Sequence, residues 1–240
     1  MTDLAIIAAL PRELALLARD LSATRISNSD GVLVQSAALG GYHGSVLLAT
    51  AGMGPERVSL AVAAALAHGP IGTLLSIGFA GACDPLLNPG NIVEASVVID
   101  SHSGERFDTD ADFEISSPRI LVTSPQIAGT AEKRRLRESY NAAAVDMEAA
   151  TVARLARAHS IPFGALKAIS DEHSVDLTHL SAFADPQGHF RTAAFALHTL
   201  LRPQQWRATA TLGRNSKSAI ATLTSAIHQI IVKRTVQQNS

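Results

Sequence analysis

The stretch AAVDMEAATVARLARAHSIPFGALKAISD, residues 143–171, decides the fold class. It begins with a short strand tip at 143–145, and residues 149–159 have the composition and apolar spacing of a helix. Residues 163–169 form an apolar run, which predicts a buried strand. A strand, a helix and a second strand in this order are typical of an α/β protein.

The same alternation continues through the chain and predicts its organisation. Beyond Pro186 the pattern predicts helices only, one near Phe190–Leu201 and one near Ser216–Val232. We therefore expect one α/β domain over residues 1–240, in which residues 186–240 form a basic helical C-terminal extension packed on the rest. The other predicted strands are 4–10, 32–39, 45–50, 73–77, 91–99 and 119–123, and the other helices are 11–20, 56–68 and 131–139.

Composition excludes several classes of protein. The 240 residues are 47% hydrophobic and carry a net charge of −1, which argues against a disordered chain and a globally basic nucleic-acid binder. A single cysteine, Cys83, excludes an intramolecular disulfide and fits a reducing cytoplasm. Because the first residues lack the pattern of a signal peptide, we expect a cytoplasmic protein.

The charge is unevenly distributed along the chain. Residues 186–240 contain seven Lys and Arg side chains and no Asp or Glu. Such a segment indicates an anionic partner or surface, such as the inner membrane. A basic face that meets an acidic face of the same protein or of a partner subunit explains the pattern equally well.

Three acidic residues stand where predicted strands end and loops begin: Glu13, Glu148 and Asp171. Functional groups of α/β proteins gather at such ends, so these acids form a candidate acid/base set. Each acid taken alone is explained as well by a helix N-cap or a first-turn carboxylate. The pattern of residues leaves the reaction open.

The remaining motifs predict neither a cofactor nor a metal. Gly52-Met-Gly54, and the segment 78–81 that follows the strand at 73–77, do not match the glycine motifs of nucleotide-binding loops. His173 and His179 fit no metal-ligand spacing. We expect no cofactor and no bound metal.

Four blocks of sequence carry a resemblance to a known family. The blocks are AIIAALPREL (5–14), ATAGMGPERV (49–58), SIGFAGACDPLLNPGNIV (76–93), and AVDMEAATVARLA (144–156) followed by LKAISDEHS (166–174). With them the chain resembles the nucleoside phosphorylase/nucleosidase family, in particular its adenine-releasing branch. This resemblance implies a three-layer α/β/α sandwich with a mixed, partly barrel-like central sheet, assembled as a homodimer or a larger homo-oligomer. It also implies a purine nucleoside substrate whose N-glycosidic bond is cleaved.

The resemblance also implies a role for each site residue. Asp171 would protonate the purine, Glu148 would hold the ribose hydroxyls, and Glu13 would orient and deprotonate the attacking water. For its role Asp171 must keep a proton near neutrality, so we expect it in an apolar pocket. The implied substrate-binding residues are Met147 against the sugar, Gly78, Phe79, Ala80 and Gly81 near the sugar, Ile127 and Ala128 near the base, and Ser170 beside the acid.

Three departures from the family pattern bear on the substrate. Phe79 stands where the family usually has a serine or another small residue, and Lys167 replaces an arginine common before the Ala-Ile-Ser-Asp run. Residues 124–129 lack the aromatic side chain that often stacks on adenine. These differences weaken the case for methylthioadenosine itself as the substrate.

A second resemblance covers more of the chain. Residues 123–150 and 180–223 are similar to the hopanoid-associated nucleosidase branch, which implies adenosylhopane as the substrate. The basic tail, with Phe190, Phe195 and Trp206, would suit the anionic membrane where such a lipid resides. We expect a hydrolase that releases adenine from a 5′-substituted adenosine. The alternatives are a methylthioadenosine/S-adenosylhomocysteine nucleosidase, a phosphorolytic purine nucleoside phosphorylase, a ligand-binding member without catalysis, and a phosphate-binding interaction protein.

Overall fold

The computed structural model describes residues 2–38, 44–109, 119–178 and 206–237. Strands and helices alternate along most of these residues, as the apolar pattern predicts. The strands are β1 (Thr2–Ala8), β2 (Thr24–Ser29), β3 (Val32–Ala38), β4 (Ser45–Thr50), β5 (Leu74–Ala82), β6 (Ile92–Asp100), β7 (Arg106–Asp108), β8 (Arg119–Thr123), β9 (Ala142–Asp146) and β10 (Phe163–Asp171). The helices are α1 (Pro11–Asp20), α2 (Pro55–Leu66), α3 (Thr130–Tyr140), α4 (Ala149–Ala158) and α5 (Trp206–Gln237).

The strands form one mixed sheet that closes on itself at one end. Its order is β10-β6-β8-β9-β5-β1-β4-β3-β2, with β7 paired to β6. Because β10 also pairs with β5, the strands β5, β9, β8, β6 and β10 complete a five-stranded ring. Pairs such as β5–β10 are parallel and pairs such as β5–β9 are antiparallel. The predicted mixed, partly barrel-like sheet is confirmed.

Helices cover both faces of this sheet. On one face α2 and α4 share a buried core with Ala5 and Ile7 of β1, and on the other α1 and α5 share one with Leu4 and Ile6. Successive residues of a strand point to opposite faces, so a strand covered on both sides is apolar at nearly every position. The predicted three-layer α/β/α architecture is confirmed.

The helix α5 contains the predicted helical segment Ser216–Val232. Its side chains at every fourth position are buried against the sheet, namely Ala219, Leu223, Ile227 and Ile231. The other predicted helix, near Phe190–Leu201, lies outside the described residues. Among the described helices, none is long and apolar enough to cross a lipid bilayer.

The segment Gly78–Gly81 is part of a strand, which corrects the prediction that it follows one. β5 continues through it to Ala82, because β10 pairs with it from Lys167 to Asp171 and β9 pairs with Gly81. Gly78 has a φ of +130°, which a residue with a side chain rarely adopts. Partners on both sides therefore hold this glycine segment in a strand.

Candidate active site

A single open cavity receives all three predicted acids. It lies at the carboxyl ends of β1, β5, β9 and β10, and Glu13, Glu148 and Asp171 line it. Gly78 lies directly behind it, since a side-chain carbon built there would be 3.1 Å from Glu13 Oε1. The other predicted binding residues also line the cavity: Met147, Phe79, Ala80, Gly81, Ile127, Ala128 and Ser170.

Glu13 is fixed by the start of α1. Pro11 begins this helix, and Glu13 reaches back so that its Oε2 accepts a hydrogen bond of 2.8 Å from the Leu10 N–H. Its Oε1 accepts a longer one, 3.4 Å, from the Phe79 N–H. Burial raises the pKa of Glu13, and its backbone contact to Leu10 and the Lys167 charge offset only part of this effect. The result is a fixed carboxyl group with an increased affinity for a proton.

Glu148 joins the starts of two helices. It is the residue before α4, and its Oε1 accepts a hydrogen bond of 2.9 Å from the N–H of Gly54, the residue before α2. Burial, together with the neighbouring charge of Asp146, raises the pKa of Glu148 to about 7, against the opposing charge of Lys167. This carboxyl group therefore titrates near neutral pH.

Lys167 supplies a positive charge beneath these acids. Its Nζ lies 2.9 Å from Asp146 Oδ2 and donates to Ser76 Oγ (3.1 Å) and to the Ile77 carbonyl (3.0 Å). Burial lowers the pKa of Lys167, but the carboxylates of Asp146, Glu148 and Glu13 outweigh it, so the pKa is raised. Its ammonium group stays charged among three carboxyl groups.

Asp146 anchors this arrangement to α4. Its Oδ2 accepts a hydrogen bond of 2.9 Å from the Ala149 N–H in the first turn, and its Oδ1 accepts one of 2.6 Å from the Thr123 hydroxyl. These contacts fill the hydrogen-bonding positions that a buried carboxylate requires. Asp146 therefore has a structural function beside the cavity.

Asp171 is held by two side chains. Its Oδ2 forms an ion pair with Lys133 Nζ, and its Oδ1 accepts a hydrogen bond of 2.6 Å from the Ser170 hydroxyl. Lys133 also donates to the carbonyl oxygens of Glu172 and Val175, at 2.9 Å each. The side chains of Lys133 and Asp171 are 2% and 7% exposed, so this pair is almost fully shielded from water.

Comparison with known proteins places this arrangement in a family. A model of the phosphorylase superfamily matches residues 3–127 and 120–203. The chain belongs to the phosphorylase superfamily. A search of curated protein sequences finds no significant match.

Solved structures of other proteins share the fold at low sequence identity. A Helicobacter pylori 5′-methylthioadenosine/S-adenosylhomocysteine nucleosidase superposes with a TM-score of 0.73 at 14% identity, over 97% of this chain and 98% of that one. The corresponding nucleosidase of Neisseria meningitidis gives 0.70 at 18% identity, over 96% and 99%. Futalosine hydrolase of Helicobacter pylori gives 0.70 at 15% identity, over 95% and 98%. At such identities the similarity establishes the fold alone.

In this member of the phosphorylase superfamily, the prediction that Asp171 lies in an apolar pocket is wrong. The ammonium group of Lys133 occupies the space beside its Oδ2. Lys133 lies in the first turn of α3, at the end of β10 where Asp171 stands. Any acid role of Asp171 must therefore be understood together with this cation.

Sequence reasoning missed Lys133. In the helix TAEKRRLRESY only Lys133 and Leu136 are buried, three residues apart on one helix face. The sequence could have indicated Lys133 by its position on the same helix face as an apolar residue, Leu136, that is expected to be buried. The other cavity-lining residues that the sequence did not single out include Arg12, Met53, Gln126 and Leu177.

Proposed function

We propose that this protein hydrolyses the N-glycosidic bond of a 5′-substituted adenosine and releases adenine. One observation carries the proposal: Glu13, Glu148 and Asp171, from distant parts of the chain, line one cavity of a phosphorylase-superfamily fold. Each acid has different surroundings, which is how a site separates the roles of acid, base and electrostatic stabiliser. The test is to incubate the protein with a panel of adenosine derivatives and to measure the released adenine by chromatography.

The three acids suit a dissociative cleavage of the bond. As the bond from the anomeric carbon to N9 breaks, its electron pair moves into the purine, which takes up a proton at N7 from the side of Asp171. The positive charge on the ribosyl group is stabilised by nearby carboxylates, with Glu148 at the ribose hydroxyls. Water adds to the anomeric carbon and loses a proton to Glu13. Each proton transfer contributes about 10²–10⁴-fold to the rate.

Water is the acceptor that the residues favour. The phosphorylases of this family hold phosphate with arginines near the end of the first strand and just before the glycine segment, where this chain has Glu13 and Ser76. The raised pKa of Glu13 suits a general base, and a carboxylate repels phosphate. Arg12 favours the alternative, phosphorolysis, because its guanidinium group lines the same cavity 5.8 Å from the ring centre of Phe79. Ribose 1-phosphate among the products would identify the phosphorylase.

The favoured substrate is adenosylhopane, with methylthioadenosine or S-adenosylhomocysteine as the alternative. The apolar side chains of Leu10, Met53, Phe79 and Leu177 line the cavity and suit an apolar 5′ substituent. The similarity of residues 123–150 and 180–223 to the hopanoid-associated branch supports the lipid nucleoside over a small thioether. Comparing kcat/KM for a long-chain 5′-alkyl adenosine with that for methylthioadenosine separates the two.

We further propose a cytoplasmic homodimer that touches an anionic membrane through its basic tail. In α5 the side chains of Lys217 and Lys233 are exposed. The side chain of Arg234 donates to the Thr73 hydroxyl at 2.9 Å. The buried stripe of α5 belongs to the core, so only the exposed side of this helix can meet a lipid surface. Light scattering measures the oligomer, and vesicle sedimentation measures the membrane contact.

A further inference from the structure

The ion pair between Lys133 and Asp171 raises a question about the source of the proton. A carboxylate that contacts an ammonium group is stabilised in its ionised form, which carries no proton to give. The second oxygen of Asp171 already accepts a hydrogen bond from Ser170. The acidic proton nearest to Asp171 is on Lys133 Nζ, which also lines the cavity.

We propose that Lys133 is the proton reservoir of the site and that Asp171 relays its proton to the leaving purine. This inference rests on the proposed function. The proton moves from Nζ to the Asp171 carboxyl and from there to N7, while the bond from the anomeric carbon to N9 breaks and its electron pair enters the purine. The water that attacks the anomeric carbon gives its proton to Glu13. Exchange with solvent returns that proton to the Lys133 amine, so each turnover consumes one water and leaves the protein unchanged.

The surroundings of the pair favour such a relay. Both side chains are almost fully buried, so a proton that passes between Nζ and the carboxyl group does so out of contact with bulk water. The two carbonyl contacts of Lys133 hold Nζ at the carboxyl group. Lys133 acts through Asp171 and is a positioning and proton-supplying residue, whereas Asp171 is the group that faces the base.

Other titratable groups near the pair do not replace Lys133. Burial raises the pKa of the Cys83 thiol to about 12, so this side chain remains neutral over the range in which enzymes are assayed. Glu132 forms an ion pair with Arg135 on α3, and Arg137 forms one with Asp84. On the loop that follows β10, Asp176 accepts hydrogen bonds from the N–H and hydroxyl of Thr178.

The test compares the pH profile of kcat/KM for adenine release in the wild type, Lys133→Met and Lys133→Arg. A lysine ordinarily keeps its proton to about pH 10 and an aspartic acid loses it near about pH 4. We expect the wild-type rate to hold to about pH 9. Lys133→Met should instead lose rate steadily as the pH rises, and fall at least about 100-fold below the wild type at pH 8 while approaching the wild-type rate at low pH.

Lys133→Arg separates charge from proton supply. A guanidinium group retains the positive charge but does not release a proton in proteins, so we expect this variant to lack the wild-type alkaline plateau. Arg134→Met is the matched control, because Arg134 is the exposed neighbour on the same helix, and it should keep the wild-type profile. Circular dichroism and Tm monitor folding, and Lys133→Arg decides alone if Lys133→Met does not fold.

Three results would contradict the role of Lys133 in supplying the proton, and a fourth would contradict the proposed function itself. If Lys133 were only a counter-ion, its removal would extend activity to higher pH, because Asp171 would keep its own proton longer. That result, a uniform loss at all pH values, or a wild-type profile in Lys133→Arg would overturn the inference. A wild type that releases no adenine from any derivative would instead refute the proposed function.

Discussion

Asp146 Oδ2 and Lys167 Nζ lie 2.9 Å apart beneath the cavity, with at most 1% of either side chain exposed. The pair links the acidic site to the fold. The charge of Lys167 acts on Glu148 and Glu13, while Asp146 accepts a hydrogen bond from the first turn of α4. Breaking a buried pair leaves one charge without compensation, and this is more costly than replacing both partners. The pair therefore couples the stability of the fold to the charge of the site.

We predict that Lys167→Met lowers the free energy of unfolding by about 3–5 kcal/mol. Replacing Asp146 by Asn in the same protein should recover part of this loss, since Asn still accepts the Ala149 N–H. Denaturant unfolding of the single and double variants gives the coupling energy. A single variant as stable as the wild type would show that the pair contributes nothing.

Asp171→Asn should leave the fold intact and lower adenine release by at least about 100-fold, because Asn cannot pass on a proton. The amide oxygen still accepts a hydrogen bond from Lys133 or Ser170, so the variant should fold, but its unfolding midpoint should fall because Lys133 loses its buried counter-charge. Single-turnover kinetics with a 5′-substituted adenosine measure the effect. Turnover close to that of the wild type would remove Asp171 from the mechanism.

The raised pKa of Glu148 predicts a pH-dependent stability. The folded protein holds this proton to about pH 7, whereas the unfolded chain releases it near the ordinary value of 4.5. Between these values the folded state binds more protons, so the free energy of unfolding should fall as pH rises. Glu148→Gln should reduce that slope, and the contribution of Glu13, whose pKa is also raised, should remain. Urea unfolding at several pH values from 4.5 to 7.5 measures it, and equal slopes in both proteins would contradict the assignment.

Gly78→Ala should damage both stability and activity. Its φ of +130° is strained for alanine, and the new methyl group would lie 3.1 Å from Glu13 Oε1. Gly69→Ala is the matched control: Gly69 has a φ of +118° and nothing within 4 Å of the added carbon. We expect about 1–3 kcal/mol of destabilisation from strain in both variants, and loss of adenine release only in Gly78→Ala. Equal activity in the two variants would show that Gly78 does not position Glu13.

The basic tail should bind anionic vesicles in a salt-dependent way. Each cation near an anionic surface contributes about 1 kcal/mol, so phosphatidylglycerol-containing vesicles should sediment the protein at low salt and release it at high salt. Neutralising the Lys and Arg residues of 186–240 should abolish binding, whereas neutralising the exposed Arg25 and Arg134 should not. Equal binding to neutral phosphatidylcholine vesicles, or no binding to either kind of vesicle, would show that the tail serves packing and subunit contacts instead of a membrane.

Much of the architecture could be predicted from local signals. Helix α1 occupies Pro11–Asp20 and strand β8 Arg119–Thr123, as predicted, because a proline start and an apolar run are properties of the segment itself. Strand β2 (Thr24–Ser29) could not be predicted, since it is polar and mostly exposed and, among the described strands, pairs with β3 alone at the sheet edge. Its hydrogen bonds to a partner strand determine its conformation, and a single segment does not reveal them.

The site shows the same division. Strand ends indicated the three acids, because the carboxyl ends of strands gather in α/β folds. The contact between Lys133 and Asp171 joins residues 38 positions apart, and it depends on how α3 packs beside β10. No periodicity within either segment reports that packing, so the expected apolar environment of Asp171 was wrong.

Closure of the sheet through the β5–β10 pairing has a consequence for how such a protein can diversify. Asp171, in register with Gly81, stands on a ring whose strands are all paired to neighbours. Residues Gln126 and Ile127 face the same cavity from the connection between β8 and α3, outside the ring. Mutations in that connection can therefore change the lining of the cavity while the strand that carries Asp171 stays fixed in the ring.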